Sequence, residues 1–297
     1  MITIASRGSQ LALWQARWVE RRLGELGYSV QIQVIRTTGD KITDVPLARV
    51  GTKGLFTKEI EEALLAGEAQ LAVHSLKDLP TELPPGLVLA AVPEREDPRD
   101  AVLGKRLDEL PPGARVGTSS LRRAAQLHRL RPDLMVASVR GNLDTRVRKL
   151  EEGQFDALLL AAAGLNRLGW ADRIAEILPP EVMCPAVGQG ALAIETTAEG
   201  RAVAEPLDHP ATHAAVLAER AVLHALGGGC QVPIGAYAAL RDGTLHLQAV
   251  VIAPDASRLV RAEAHGPATE AERLGAALGA ELLSRGGAGI LEAVYGA

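Results

Sequence analysis

Short apolar runs alternate with helix-period stretches along most of this chain, and that alternation limits the possible folds more than any other property of the sequence. Leu71-Ala72-Val73 is such a run, and segments 87–92, 134–139 and 156–162 repeat it. Each is bounded by polar or glycine-containing turns and is short for a helix, so each reads as a buried strand. Val30, Ile32 and Val34 alternate with Gln31 and Gln33, a further strand signature, and residues 2–6 form another. Between the strands lie amphipathic stretches. In 10–26, Leu11, Trp14 and Trp18 share one helical face, and Phe56, Ile60 and Leu64 repeat the spacing. Strands separated by helices pair through crossovers, so the pattern predicts an α/β fold with a largely parallel sheet.

The charged, proline-bracketed segment 93–100 is a candidate crossing to a second domain. Beyond it the pattern restarts. Strand Arg115–Gly117 leads into Thr118-Ser119-Ser120 and a helix from Leu121. Strand 134–139 leads into Arg140-Gly141-Asn142 and a helix through Leu150, and strand 156–162 leads into Gly164-Leu165-Asn166-Arg167. Pro185-Ala186-Val187-Gly188-Gln189-Gly190 and the strand-like 191–195 suit a return to the first domain, which predicts two lobes, a cleft and a double hinge. The character changes after Pro210. A helix over 211–226, strands near 236–240, 245–252 and 259–264, a hairpin turn at Asp242-Gly243 and a helix over 270–283 describe an α+β domain. The expected domains are 1–93 with 188–206, then 94–187, then 207–297.

A net charge of −4 over 297 residues excludes a generally basic, nucleic-acid-coating protein, so any anion site must be a local arginine cluster. Cys184 and Cys230 are the only cysteines and lie far apart, which argues against a disulfide framework. No stretch reaches the ~18 apolar residues of a membrane helix, and no secretory signal is visible at the N-terminus, so the expected location is the cytoplasm.

Arginines recur where strands should end. Arg7, Arg140 and Arg167 are assigned to strand-to-helix turns, Arg122 and Arg123 follow a predicted Thr118–Ser120 cap, and Arg146 lies close behind. Ligands of open α/β sheets sit at those strand ends. Helix N-termini attract anions, and guanidinium groups bind carboxylates in bidentate fashion. Together these residues predict a polycarboxylate or phosphate ligand. Asp78, delivered by strand 71–73 beside Lys77, is the candidate acid–base group. His74 reads as a hydrogen-bonded structural residue. No Cys, His and acidic cluster has metal-ligand spacing, and no P-loop is present. In Gly227-Gly228-Gly229-Cys230-Gln231-Val232-Pro233, glycines flank a cysteine where a helix must stop, which suits a chemically used thiol.

At this point the residues closely resemble porphobilinogen deaminase, the hydroxymethylbilane synthase family. The resemblance is carried by Arg7-Gly8-Ser9 with Leu11-Ala12-Leu13-Trp14-Gln15, Gly51-Thr52-Lys53-Gly54-Leu55-Phe56 and Ala72-Val73-His74-Ser75-Leu76-Lys77-Asp78. It continues through Glu94-Arg95-Glu96-Asp97-Pro98-Arg99-Asp100, Gly117-Thr118-Ser119-Ser120-Leu121-Arg122-Arg123, Arg140-Gly141-Asn142 with Thr145-Arg146, Pro185-Ala186-Val187-Gly188-Gln189-Gly190 and the Cys230 loop. Gln10 stands where the family commonly has proline, and Leu76 where it commonly has methionine.

The resemblance implies two periplasmic-binding-protein-like α/β domains joined by a double hinge, plus a C-terminal α+β domain with a three-stranded antiparallel sheet. It implies head-to-tail condensation of four porphobilinogen molecules into hydroxymethylbilane with release of ammonia. The priming cofactor is dipyrromethane, attached by a thioether to the residue matching Cys230. The catalytic aspartate falls on Asp78. The cofactor- and substrate-binding positions fall on Arg7, Ser9, Lys77, Thr118, Ser120, Arg122, Arg123, Arg140, Arg146, Arg167 and Gln189, and a cover segment on 41–54. The implied protein is a monomer that takes porphobilinogen as its small-molecule substrate, has no nucleic-acid or membrane partner and passes its product to the next tetrapyrrole enzyme.

Two other classes fit parts of the pattern. A two-lobed anion-binding or effector-sensing protein would use the same arginines but has no task for a glycine-flanked Cys230. A cysteine-dependent hydrolase would need a histidine base, and nothing in the sequence orients His213 or His224 toward Cys230.

Overall fold

The computed structural model describes residues 1–41, 55–228 and 232–295. The expected cover segment, apart from Lys41, and Cys230 itself lie outside the described residues. In chain order, the first stretch contains β1 (Ile2–Ser6), α1 (Gln10–Glu25), β2 (Val30–Val34), the short α2 (Thr38–Lys41), α3 (Lys58–Leu65), β3 (Leu71–Ser75) and β4 (Leu87–Ala91). The second contains β5 (Asp100–Gly104), β6 (Arg115–Gly117), α4 (Leu121–Leu130), β7 (Met135–Ala137), α5 (Leu143–Glu151), β8 (Ala157–Ala161), α6 (Ala162–Arg167) and β9 (Ile174–Leu178). Then come β10 (Leu192–Thr197), α7 (Arg201–Ala204), α8 (Pro210–Ala225), β11 (Ile234–Arg241), β12 (Thr244–Ile252), β13 (Leu259–Pro267), α9 (Ala271–Leu282) and α10 (Ala288–Tyr295).

The chain divides into two compact units, Met1–Glu96 with Ala191–His213, and Asp97–Gly190 with Ala214–Ala297. The first holds a five-stranded sheet ordered β2-β1-β3-β10-β4, in which β1 pairs in parallel with β2 and β3 while β10 runs antiparallel to β3 and β4. The second holds a five-stranded sheet ordered β7-β6-β8-β5-β9, in which β6 is parallel to β7 and β8 and β5 is antiparallel to β8 and β9. The two sheets therefore share one topology, with the fourth position filled in each by the strand that follows a crossing of the chain. β5 and β9 are absent from the sequence-based reading. The sheets are mixed, each parallel apart from that one strand.

Both faces of each α/β sheet are apolar, as buried crossover strands require. In the first unit, Ile4, Leu71, Val73 and Ile194 pack with Ala16, Val19 and Leu23 of α1, while Ala5, Ala72 and Leu87 meet Ile60 and Leu64 of α3. In the second, Val102, Val116 and Leu159 pack with Leu127 of α4, and Leu103, Leu158 and Leu160 pack with Val147 and Leu165 on the other face. The apolar runs of β3 and β8 are buried on both sides for this reason.

The remaining part of the second unit is an antiparallel sheet ordered β11-β12-β13. Its turn, Asp242-Gly243, has φ of +47° and +76°, the left-handed pair a tight hairpin requires. Leu245, Leu247 and Val251 pack on Ala218 and Val222 of α8 and on Leu278 and Leu282 of α9. These helices cross closely at Gly275, where an added Cβ would collide with the Ala218 carbonyl oxygen and lie 2.8 Å from the Ala221 Cβ. α8 ends as its glycines predict. Gly227 takes φ +63°, its N–H donates to His224 O at 2.9 Å, and the Gly228 N–H reaches back to Leu223 O at 3.0 Å.

Candidate active site

In the first unit, β1 ends at Ser6 and the chain turns through Arg7 and Gly8 before α1 begins. Ser9 caps that helix, its Oγ accepting the Ala12 N–H at 3.3 Å. The cap fixes where the Arg7 backbone leaves the sheet. The Arg7 side chain lies over the Phe56 ring, 4.2 Å from its centroid, and donates from Nη2 at 2.5 Å and Nε at 3.1 Å to Asp40 Oδ1. The other Asp40 oxygen accepts the Thr37 hydroxyl at 2.8 Å and the Thr37 N–H at 3.2 Å. Partial burial alone would raise the Asp40 carboxyl. The Arg7 hydrogen bond and charge, helped by Thr37, outweigh it and hold the carboxyl below its ordinary value.

Asp78 closes a single 3₁₀ turn, Leu76–Asp78, directly after β3. Leu76 and Leu79 are buried, the Leu76 N–H donates to Ala191 O at 3.0 Å, and the Leu79 N–H donates to Leu76 O at 3.0 Å. The apolar pair pins the turn, while Lys77 and Asp78 between them stay half-buried. Beneath it Ser75 Oγ accepts from Gln15 Nε2 at 2.8 Å. His74 is structural, as expected: it is buried, with Nε2 at 3.0 Å from Glu195 Oε2 of β10.

In the second unit, Ser120 caps α4, its Oγ accepting the Arg123 N–H at 3.4 Å, and Thr118 Oγ1 accepts the Ser120 N–H at 3.2 Å. The two arginines that follow are neither solvated nor open. Arg122 is 3% and Arg123 6% exposed, and both close on Asp100, the first residue of β5, which is fully buried. Arg122 Nη1 donates to Asp100 Oδ2 at 2.7 Å and to Cys184 O at 2.6 Å, and Arg123 Nε donates to Asp100 Oδ1 at 2.8 Å. Gln189 is fully buried beside them. Its Nε2 donates to Asp100 Oδ1 at 2.9 Å and Pro98 O at 2.7 Å, and its Oε1 accepts from Arg123 Nη2 at 3.1 Å.

One carboxylate thus serves two guanidinium groups. Burial would raise Asp100, but the charges of Arg122 and Arg123 and their hydrogen bonds hold it far below the carboxylate range. Burial lowers Arg123, and the like charge of Arg122 adds to that, only partly offset by Asp100. Two guanidinium groups and one carboxylate leave this buried group with one formal positive charge.

Arg140 precedes Gly141, whose φ of +110° and closeness to Thr145 exclude a side chain. Arg140 and Arg146 are half-buried, Arg146 Nε donating to Gly141 O at 2.9 Å. Arg167 departs from its expected position. α6 starts at Ala162 without an intervening turn, because Ala161-Ala162-Ala163 passes straight from strand to helix. Arg167 therefore ends that helix, buried, with Nη2 at 2.6 Å from Gly190 O. Sequence reasoning missed Asp100 and Asp40 altogether. Both are carboxylates whose arginine partners lie more than 20 residues away, and nothing nearby in the sequence marks those pairings.

Cys184 is buried among Ala125, Val250 and Ile252, and burial pushes its thiol up to about 12. A thiol so placed forms little thiolate at neutral pH. Among the described residues no group of three or more His, Cys, Asp and Glu side chains is placed to hold a metal ion. No helix among them is long and apolar enough to cross a membrane.

Two mixed α/β sheets of one topology, with a smaller antiparallel sheet after them, define the class of fold. The chain belongs to the porphobilinogen deaminase family. Residues 2–205 match the family model described as porphobilinogen deaminase, dipyromethane cofactor binding domain, and residues 213–284 match its C-terminal domain, the stretch that includes Cys230. The chain is 53% identical to the porphobilinogen deaminase of Syntrophobacter fumaroxidans over 99% of this chain and 98% of that protein. It is 54% identical to that of Pelobacter propionicus over 99% and 97%. Among solved structures, a periplasmic substrate-binding protein of an ABC transporter from Coxiella burnetii covers 72% of this chain and 94% of its own at 14% identity, with a TM-score of 0.42.

Proposed function

We propose that this chain joins four porphobilinogen molecules head to tail into hydroxymethylbilane, releasing one ammonia at each addition. The observation that carries the reading is that arginines follow the strand ends in both units, Arg7 after β1 in the first, and Arg122 and Arg123 after β6 and Arg140 after β7 in the second, in a chain of this family. Each pyrrole brings an acetate and a propionate, so a growing chain needs cations in number. The donor set fits a dipyrromethane for the same reason. That group, held through a thioether to Cys230, supplies when bound the pyrrole carbon from which the chain grows.

The residues of this chain then have separate tasks. Arg7, Arg140 and Arg146 hold carboxylates by forked hydrogen bonds. Arg122, Arg123 and Arg167, with Gln189, supply buried positive potential and hold the strand ends in place. Ser9, Thr118 and Ser120 fix the helix starts that aim these groups, and Lys77 adds a cation next to Asp78. Departure of ammonia from porphobilinogen leaves a cationic azafulvene. Asp78 stabilises that charge, and it donates a proton to the leaving amine or removes the pyrrole proton afterwards. Its turn, pinned by Leu76 and Leu79, keeps the carboxylate still at little reorganisation cost. The protein works as a cytoplasmic monomer and passes its product on.

The test is the intact mass of the purified chain with turnover of porphobilinogen. An added mass of two pyrrole units, lost in Cys230→Ser and kept in Cys184→Ser, is expected. A chain at its sequence mass that consumes no porphobilinogen refutes the reading.

A further inference from the structure

A guanidinium has five N–H donors in one plane, and they form edges. In Arg7 the side edge, Nε with Nη2, is filled by a single oxygen, Asp40 Oδ1. Among the described residues nothing else accepts from Arg7. The end edge, formed by Nη1 and the outer hydrogen of Nη2, keeps two parallel donors. That is the geometry of a bidentate carboxylate site.

Three features hold the edge in one direction. Asp40 is itself fixed through its second oxygen by Thr37, which is fully buried. Phe56 lies under the guanidinium plane and closes one face. The ring has room because residue 39 is glycine: a Cβ there would collide with the Phe56 ring, and the Gly39 N–H ties residues 39 and 55 together through Leu55 O at 2.7 Å. A flexible arginine left alone would lose rotamer freedom on binding, whereas a braced one has already lost it.

We propose that Asp40, braced by Thr37 and acting with Phe56, is a positioning residue that turns Arg7 so that its end edge receives a ligand carboxylate. The inference rests on the function proposed above. It concerns how Arg7 is aimed, and Asp40 never touches the ligand. The opposing idea is that Asp40 occupies Arg7 and must be displaced. The two predict opposite changes in KM, because a competitor's removal tightens binding and a brace's removal loosens it.

The experiment is steady-state kinetics with porphobilinogen on the dipyrrole-bearing wild type, Asp40→Asn, Arg7→Lys and the double variant. Intact mass reports the attached dipyrrole, and melting temperature reports the fold. The expected result is a KM raised about ten-fold in Asp40→Asn with kcat within about three-fold of wild type. The double variant should be no worse than Arg7→Lys, since Asp40 works only through Arg7. Gly39→Ala, which leaves Asp40 intact and displaces the ring, should raise KM in the same direction and carries the test if Asp40→Asn does not fold. A KM that is unchanged or falls in these variants overturns the inference, as do effects that multiply in the double variant. Absence of product from the wild type would instead count against the proposed function, so the two failures read differently.

Discussion

Replacing Asp100 by asparagine keeps the shape of the side chain and removes the one negative charge on which Arg122 and Arg123 both close. In the wild type, Arg122 Nη1 and Nη2 lie 2.7 and 3.2 Å from the two carboxylate oxygens, and Arg123 Nε lies 2.8 Å from Oδ1. All three side chains are more than nine-tenths buried. Deleting one partner of such a pair leaves uncompensated buried charge and costs about 3–5 kcal/mol. Here the variant leaves two cations facing each other, so the upper half of that range applies. In a chain this long, about 2 °C of melting temperature is lost per kcal/mol, giving a fall of roughly 8–10 °C.

The pH dependence follows from the depressed carboxyl. The folded-state pKa lies below the ordinary 3.8, so the contribution is complete above that value and is lost as pH falls from it toward the folded pKa. Scanning calorimetry of both proteins from pH 7 to pH 3 reads this directly. The gap in melting temperature should stay constant down to about pH 4 and narrow only below it. A gap under 2 °C at pH 7, or one that closes between pH 7 and pH 5, refutes the assignment of the buried charge to Asp100.

With its thiol pushed up to about 12, Cys184 should resist iodoacetamide at pH 8 in the folded protein and react only after denaturation, as peptide mapping would show. Asp78→Asn should keep the melting temperature and lose about 10²-fold or more in kcat, as expected when a charge that stabilises a developing cation is removed. Gly275→Ala should destabilise by about 1–3 kcal/mol in urea unfolding, because the added methyl group meets the Ala218 carbonyl where α8 and α9 cross.

What the sequence discloses here divides according to the range over which each signal acts. Ser120 as a cap, Gly227 as a helix stop and Asp242-Gly243 as a hairpin were legible because each effect is settled within a few residues of the side chain that causes it. The apolar runs of β3 and β8 were legible because burial on both faces leaves no polar alternation to confuse them. β5 was not. Asp100 begins it and looks like the end of the charged run before it, yet the carboxylate is buried by arginines supplied 22 and 23 residues later. The same blindness affects the arginines. A guanidinium read from sequence is either solvated or ligand-facing, and Arg122 and Arg123 are first of all each other's neighbours on one shared carboxylate. Asp40 and Arg7, 33 residues apart, repeat the case in the first unit. A family resemblance names the arginines. It does not reveal which carboxylate holds each one, and that pairing decides which donors remain for a ligand. At Arg7 an edge remains, whereas at Arg123 the protein itself takes Nε, Nη1 and Nη2. Arginines of one sequence motif set therefore differ in what they keep: Arg7 retains an edge of donors, while each nitrogen of the Arg123 guanidinium already has a partner in the protein.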